Sequence, residues 1–400
     1  MLCDLVEVVY SFHRSLWPPL IILLRLTRRR SRLHPSYTYM SDQPKPRLTH
    51  ELRRVNWESA EWRASLLCLP AIAIGLIVPL AVGHRFAAVV IAGSAQSVGF
   101  GAFQRRLWFP GGPMVLATLG MALSAAVGEL AANVPWAILL AVTFWAFSYG
   151  MSGAISAAAS WVGQQCCIFL IISSYVPGTP REAAIRAAGV LAGGFLQFVC
   201  VRVMWHFFAP ASTTYSDPII HAPGWQRRAI LENLTLQSPT FRYALLLALT
   251  GFVAEGIALK AHFHNSYWIP MTALIIMKPD LLLTNARSIA RLGGTLVGAA
   301  LATLLAVALH PHGIWLSVLV VVSMYLAYAL QNVNYALYAI PLTSYIAFIL
   351  AIARAPERDV AEYRVIATAI GGVIAMLIHA LYVREELRRL ARTLIPRTTA

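Results

Sequence analysis

Arg287 and Arg291 stand four residues apart, and Thr295, Gly298 and Ala302 follow at four-, three- and four-residue steps. On a helix these residues share one face. The face opens with two guanidinium groups, whose donor forks recognise carboxylate, phosphate or sulfonate alike. It continues into small residues that let a second helix approach closely. Shortly before it come Trp268, Thr272, Lys278 and Asp280: a ring, a hydroxyl, a cation and an anion. Together these types suit the holding of an anion inside a membrane. The plainer reading has the arginines marking a cytoplasmic membrane edge. In it Asp280 caps the following turn or pairs with Lys278 or Arg287.

The elements carrying these residues must cross a bilayer. Of the 400 residues, 58% are hydrophobic and only 12% charged, which excludes a soluble globular protein. The expected fold is an all-α polytopic membrane protein with about twelve transmembrane segments as two six-helix repeats. The formal charge of +15 lies in the tails and short loops, where it meets the lipid bilayer surface rather than nucleic acid. Cys3, Cys68, Cys166, Cys167 and Cys200 have neither CxxC nor Cys/His metal spacing, so no disulfide, metal site or cofactor is expected. No nucleophile-base pair, phosphate loop, HExxH or paired catalytic carboxylate is found, which argues for transport over catalysis.

Residues 1–65 form a basic N-terminal tail, of which 1–39 read as an upstream extension before a start at Met40, or as a disordered tail. A first unit, 66–206, holds apolar segments near 66–83, 86–103, 113–132, 135–149, 154–173 and 183–206. A polar linker with four prolines covers 207–240. The second unit, 241–383, holds segments near 241–260, 266–278, 291–309, 314–330, 335–353 and 363–383, and a basic tail, 384–400, ends the chain. The twelve residues between Asn265 and Lys278 reach roughly 18 Å as a helix, short of a hydrocarbon core about 30 Å thick.

An Arg-x-x-small-x-x-x-Gly element recurs at helix starts: Arg291 with Gly294 and Gly298, Arg364 with Ala367 and Gly371, Arg186 with Gly189 and Gly193. The third segment has a decayed copy that begins at Met114. With both termini cytoplasmic and every segment crossing, only Arg85, Arg181, Arg186, Lys260, Arg354, Arg358 and Arg364 of the 32 Lys/Arg fall outside. Arg291 then lies at the inner end of its helix and Arg364 at the outer end of its own, an inverted-repeat pattern.

Glu129 and Glu255 are the acidic residues within the segments, where a carboxylate is costly to bury. Either suits proton coupling; alternatively both sit near the outer ends of their helices, within reach of water or Lys260. The His-x-His pairs His262/His264 and His310/His312 read as loop histidines rather than metal ligands. Asn332 and Asn334 suit a tight turn, and Pro341, Thr343 and Ser344 could line a path.

The series Tyr267-Trp268-x-Pro270-x-Thr272-Ala273-Leu274, Lys278-Pro279-Asp280-x-x-x-Thr284 and Arg291-x-x-Gly294-Thr295-x-x-Gly298 resembles the fusaric acid resistance (aromatic acid exporter) family. The resemblance extends over about 241–383. The first unit shares only the segment layout and the Arg186 element, with no Trp-x-Pro-x-Thr or Pro-Asp and with Met114 in place of an arginine.

The resemblance implies a multi-pass transporter of the bacterial inner membrane that exports aromatic or other organic acids, driven by the proton gradient. In such proteins a periplasmic adaptor subunit is a common partner. Relatives also carry a sizeable cytoplasmic domain, for which the linker here is too short. The same unit resembles plant aluminium-activated malate channels, so a passive organic-anion channel is the alternative, and a non-transporting membrane scaffold a further one. On the first reading Arg287, Arg291 and Arg364 attract the carboxylate of a small organic anion. Trp268 and Thr272 contact its body, and Glu255 or Glu129 carries the proton. A homo-oligomer stays open, although two six-helix units in one chain could build a pathway alone.

Overall fold

The computed structural model describes residues 48, 52, 54–104, 111–208, 225–261, 265–310, 313–353 and 357–394. The proposed upstream extension and His262, His264 and His312 lie outside the described residues. Among the described residues all regular structure is helical. The helices are α1 Trp62–Leu67, α2 Leu69–Ala81, α3 Arg85–Gly99, α4 Gly112–Ala131, α5 Pro135–Ser152, α6 Ala157–Ser173 and α7 Pro180–Phe208. After a short α8, Trp225–Asn233, come α9 Pro239–Lys260, α10 Trp268–Ile276, α11 Leu281–Leu309, α12 Ile314–Leu330, α13 Tyr335–Ile352 and α14 Glu357–Leu394.

Local sequence sets the starts. Ser156, Ser238, Asp280 and Asn334 each accept a backbone N–H of the following first turn, satisfying one of the donors that a helix start leaves unpaired. Two boundaries differ from the apolar pattern. Helix α11 begins ten residues before the expected 291 because Asp280 caps it and its first turns tolerate polar residues. Helix α14 continues past 383 to Leu394, through a Glu-, Leu- and Arg-rich stretch of good helix formers.

Helices stand at all twelve expected segments, but length and composition qualify only eight of the described helices to cross a membrane. A ninth is gained if α1 and α2, bent by 44° at Cys68, count as one broken span. Helices α6 and α12 are apolar but shorter, and α10 has only nine residues.

The main packing contacts recur in both groups of helices. In the first, α2 packs on α3 and α7, α3 on α7, α4 on α6 and α7, and α5 on α6. In the second, α9 packs on α10 and α14, α10 on α14, α11 on α13 and α14, and α12 on α13. Between the groups α5 meets α9 and α2 meets α12, while α6 meets α10 and α3 meets α13. Each of these four contacts has its reciprocal. Tyr328 of α12 ties the groups further by donating to the Gln96 carbonyl of α3 at 2.6 Å.

Candidate functional site

A cavity of about 980 Å³ lies between the two groups. Helices α3, α6 and α7 wall it on one side and α10, α11 and α13 on the other. Its lining runs from Phe86, Val176, Arg186 and Ala353 at one set of helix ends to Gln104, Gln331, Tyr335 and Arg287 at the opposite set. Trp161, Tyr175, Trp268, Tyr338 and Tyr345 add aromatic surface, and Gln96, Gln164 and Gln165 add amide groups. Arg186, Arg287 and Arg291 are its charged lining; no carboxylate lines it among the described residues.

Arg291 is 3% exposed, and its Nε is buried with no hydrogen-bond partner. It comes to the cavity because α11 lies tightly on α13. A Cβ on Gly298 would stand 2.8 Å from the Thr343 Cβ, closer than such atoms approach, and Ser344 Oγ donates to the Gly298 carbonyl at 3.0 Å. Arg287 reaches the cavity one turn earlier and stacks 4.7 Å over the Tyr335 ring. It also lines a second cavity of about 250 Å³ together with Arg54 and Asn334.

Arg364, which does not line the cavity, is 2% exposed and sits 3.9 Å over the ring of Trp268, which does. All three of its guanidinium nitrogens are buried without a partner, and Arg291 is near enough to repel it. Glycine makes this stacking possible. A Cβ on Gly371 would stand 2.6 Å from the Ile269 carbonyl oxygen and 3.0 Å from the Thr272 Cβ. Any side chain there would push α14 from α10 and lift Arg364 from its ring.

On α10, α11 and the packed α13, Trp268 Nε1, Thr272 Oγ1, Thr295 Oγ1, Thr343 Oγ1 and Tyr345 OH are buried and unpartnered as well. Buried polar groups normally find partners, and a local concentration of exceptions marks a site rather than ordinary core. A cation in apolar surroundings is costly until a counter-charge reaches it. The arrangement can bind an anion: it offers guanidinium donors, an indole N–H and hydroxyls beside aromatic faces.

Lys278 and Asp280 stand apart from this. Asp280 is exposed and accepts the Leu283 N–H at 2.9 Å as the α11 cap, with no ion pair to Lys278 or Arg287. The backbone N–H of Lys278 donates to Thr284 Oγ1 at 3.0 Å, and that hydroxyl also meets His379 Nδ1 at 3.0 Å. Neither Lys278 nor Asp280 lines the cavity.

The two acidic residues do not reach Lys260, which is exposed at the end of α9. Glu255 is 0% exposed; its Oε1 accepts from Tyr175 OH at 3.2 Å, and its Oε2 is buried without a partner. Tyr175 lines the cavity, so a single phenol separates Glu255 from it. Glu129 is equally buried and forms an ion pair with Arg186 Nε.

Trp268, Arg287 and Arg291 thus meet at the cavity, with Thr272, Thr295 and Arg364 immediately behind. The first-unit wall was not singled out in the sequence. Two signals pointed to it: the adjacent Gln164 and Gln165 inside an apolar segment, and Arg186 in the place matching Arg364.

Residues 246–378 match a family model described as fusaric acid resistance protein-like, so the resemblance read from the second-unit motifs holds over that stretch. An uncharacterized protein of Synechocystis, slr1298, is 30% identical over 155 residues, 38% of this chain and 20% of that protein. The uncharacterized protein YhfK of Escherichia coli is 31% identical over 143 residues, 33% of this chain and 20% of the relative. The chain therefore spans about a fifth of the length of these curated relatives. No solved structure matches.

Proposed function

We propose that this multi-pass helical membrane protein exports small organic anions, aromatic acids among them, across the bacterial inner membrane at the expense of the proton gradient. One observation carries the reading. Among the described residues, Arg291 and Arg364 are buried guanidinium groups without a carboxylate partner, set beside a ring-lined cavity that no acidic side chain enters. A carboxylate arriving from the side of Arg287 meets Arg291 next, and its ring packs against Trp268 while Arg364 stacks behind. The unpartnered Tyr345 hydroxyl, which lines the cavity, meets its polar groups, with Thr272 and Thr295 behind the wall. Glu255, reached through Tyr175, takes up the proton.

The matching packing order supports two six-helix repeats, 66–206 and 241–383, joined by the 207–240 linker and together crossing twelve times. In that arrangement α10 is a half-length crossing that leaves its aromatic start, Trp268, near the membrane midplane, where transporters hold substrate at broken helices. Both termini are cytoplasmic on this reading. A periplasmic adaptor and a homo-oligomer are compatible additions. The chain acts as a carrier or channel, not as an enzyme.

The test is accumulation of radiolabelled benzoate by inverted membrane vesicles, with and without an imposed proton gradient. Gradient-dependent accumulation is expected, falling to background in Arg291→Ala while the variant stays in the membrane. Benzoate flux that merely equilibrates turns the reading to a passive channel. Export at the wild-type rate by Arg291→Ala overturns the site assignment.

A further inference from the structure

We infer that Arg186 is a further anion subsite at the leaving end of the same cavity, kept weak by the resident carboxylate of Glu129. The inference rests on the transport reading and extends it to the first group of helices. Three arginines line the cavity, and they stand at different heights. Arg287 stacks on Tyr335 where α13 begins. Arg291 lies eleven residues into α11, about 15 Å from its start at 1.5 Å per residue. Arg186 is seven residues into α7, which starts at the opposite helix ends, beside the end of α6. The lining residue Ala353, just past α13, marks the same end.

Arg186 differs from the other two in having a carboxylate. Its Nε bonds Glu129 of α4, which is 1% exposed and does not itself line the cavity, while the Arg186 side chain is 10% exposed. A guanidinium carries five N–H donors in a fixed fork. Glu129 takes the Nε side from behind, and none of the Arg186 nitrogens is both buried and without a partner. The guanidinium can therefore meet a second carboxylate from the cavity while it keeps the first. Phe86 lies under it at 5.1 Å, as Trp268 lies under Arg364, so the aromatic half of the site is present too. An anion at Arg186 shares a cation that is already neutralised and is held loosely. A path needs sites firm enough to enter and weak enough to leave. Arg291 is the firm site, Arg186 the weak one.

Benzoate binding to the purified full-length protein, paired with export from vesicles, tests this. Glu129→Gln removes the competing charge and keeps the shape. It should bind a second equivalent of benzoate, with affinity at that site raised about tenfold or more, and should export more slowly because the anion no longer leaves. Glu129→Asp keeps the charge and should bind one firm equivalent, as wild type does. The double variant Arg186→Gln/Glu129→Gln leaves no unpaired charge at this position, so it remains informative if the single variant fails to fold. It should lose the second equivalent and keep the first, with export below the wild-type rate. One equivalent at wild-type affinity in Glu129→Gln, or wild-type export in the double variant, overturns the inference. Absence of benzoate binding in the wild-type protein would instead remove the transport reading from which it starts.

Discussion

Arg186 and Arg364 occupy the same place in the two groups of helices and live in different chemical circumstances. Each sits near the start of the sixth helix of its group and stacks over an aromatic ring at the start of the second: Phe86 at 5.1 Å for Arg186, Trp268 at 3.9 Å for Arg364. The first is paired with Glu129; the second has three buried guanidinium nitrogens and no partner among the described residues. The third helices account for the difference. Fifteen residues beyond Met114 stands Glu129, and fifteen residues beyond Arg291 stands Ala306. The first group therefore places one arginine and one carboxylate where the second places two arginines and none. A neutralised pair is stable by itself and leaves little field for a ligand. Two unneutralised cations are a standing cost that an anion relieves. The second group accordingly holds the substrate on the reading proposed here.

That contrast can be broken from either side. The largest effect belongs to Arg364→Ala, which removes the buried cation behind Trp268. Arg364 stands behind the ring and acts on the anion through space: at about 8 Å and an effective dielectric of about 20 the attraction is about 2 kcal/mol, so benzoate affinity should fall by about thirtyfold. Titration of the purified variant measures this, and affinity within threefold of wild type would separate Arg364 from binding. Next comes Ala306→Glu, which gives the second group the carboxylate that the first already has. A resident anion should compete with the ligand and weaken benzoate about tenfold, the equivalent of about 1.4 kcal/mol. Unchanged affinity would mean that the two groups do not match at this position. The smallest change is Trp268→Phe, which leaves a ring under Arg364 but a poorer one. A difference of about 0.5–1 kcal/mol in the stacking predicts a two- to fivefold loss of affinity with export retained. A loss as large as that of Arg364→Ala would show that the indole N–H contacts the ligand directly.

Much of this was legible before any coordinates. The helical class and the placement of the twelve apolar segments follow from runs of hydrophobic residues, because a bilayer admits little else. The face of Arg287, Arg291, Thr295 and Gly298 follows from spacing, and a shared face on one helix is a local property. Contacts between two helices are not carried by local spacing. Glu129 and Glu255 read as outer-end carboxylates open to water or Lys260, yet Glu129 is met by Arg186 fifty-seven residues away and Glu255 by Tyr175 eighty residues away. Lys278 and Asp280 looked as much like site residues as Arg287 did. Asp280 instead spends its carboxylate on the α11 cap, and only the fold separates a capping role from a binding role.

The sequence by itself determined that the chain is a bundle of apolar helices, that Arg287 and Arg291 face one way, and that Trp268 begins a helix too short to cross a bilayer. Each is a property of residues within a few turns of one another, set by hydrophobic transfer, helical periodicity and capping. Only the tertiary structure decided which helices enclose the cavity. It also decided that Arg186 is neutralised while Arg364 is not, and that Gly371 lets α14 come close enough for Arg364 to rest on Trp268. The reason is physical. A buried charge takes its character from its neighbours within a few ångströms, and in a helical bundle those neighbours are brought by other helices, far away along the chain.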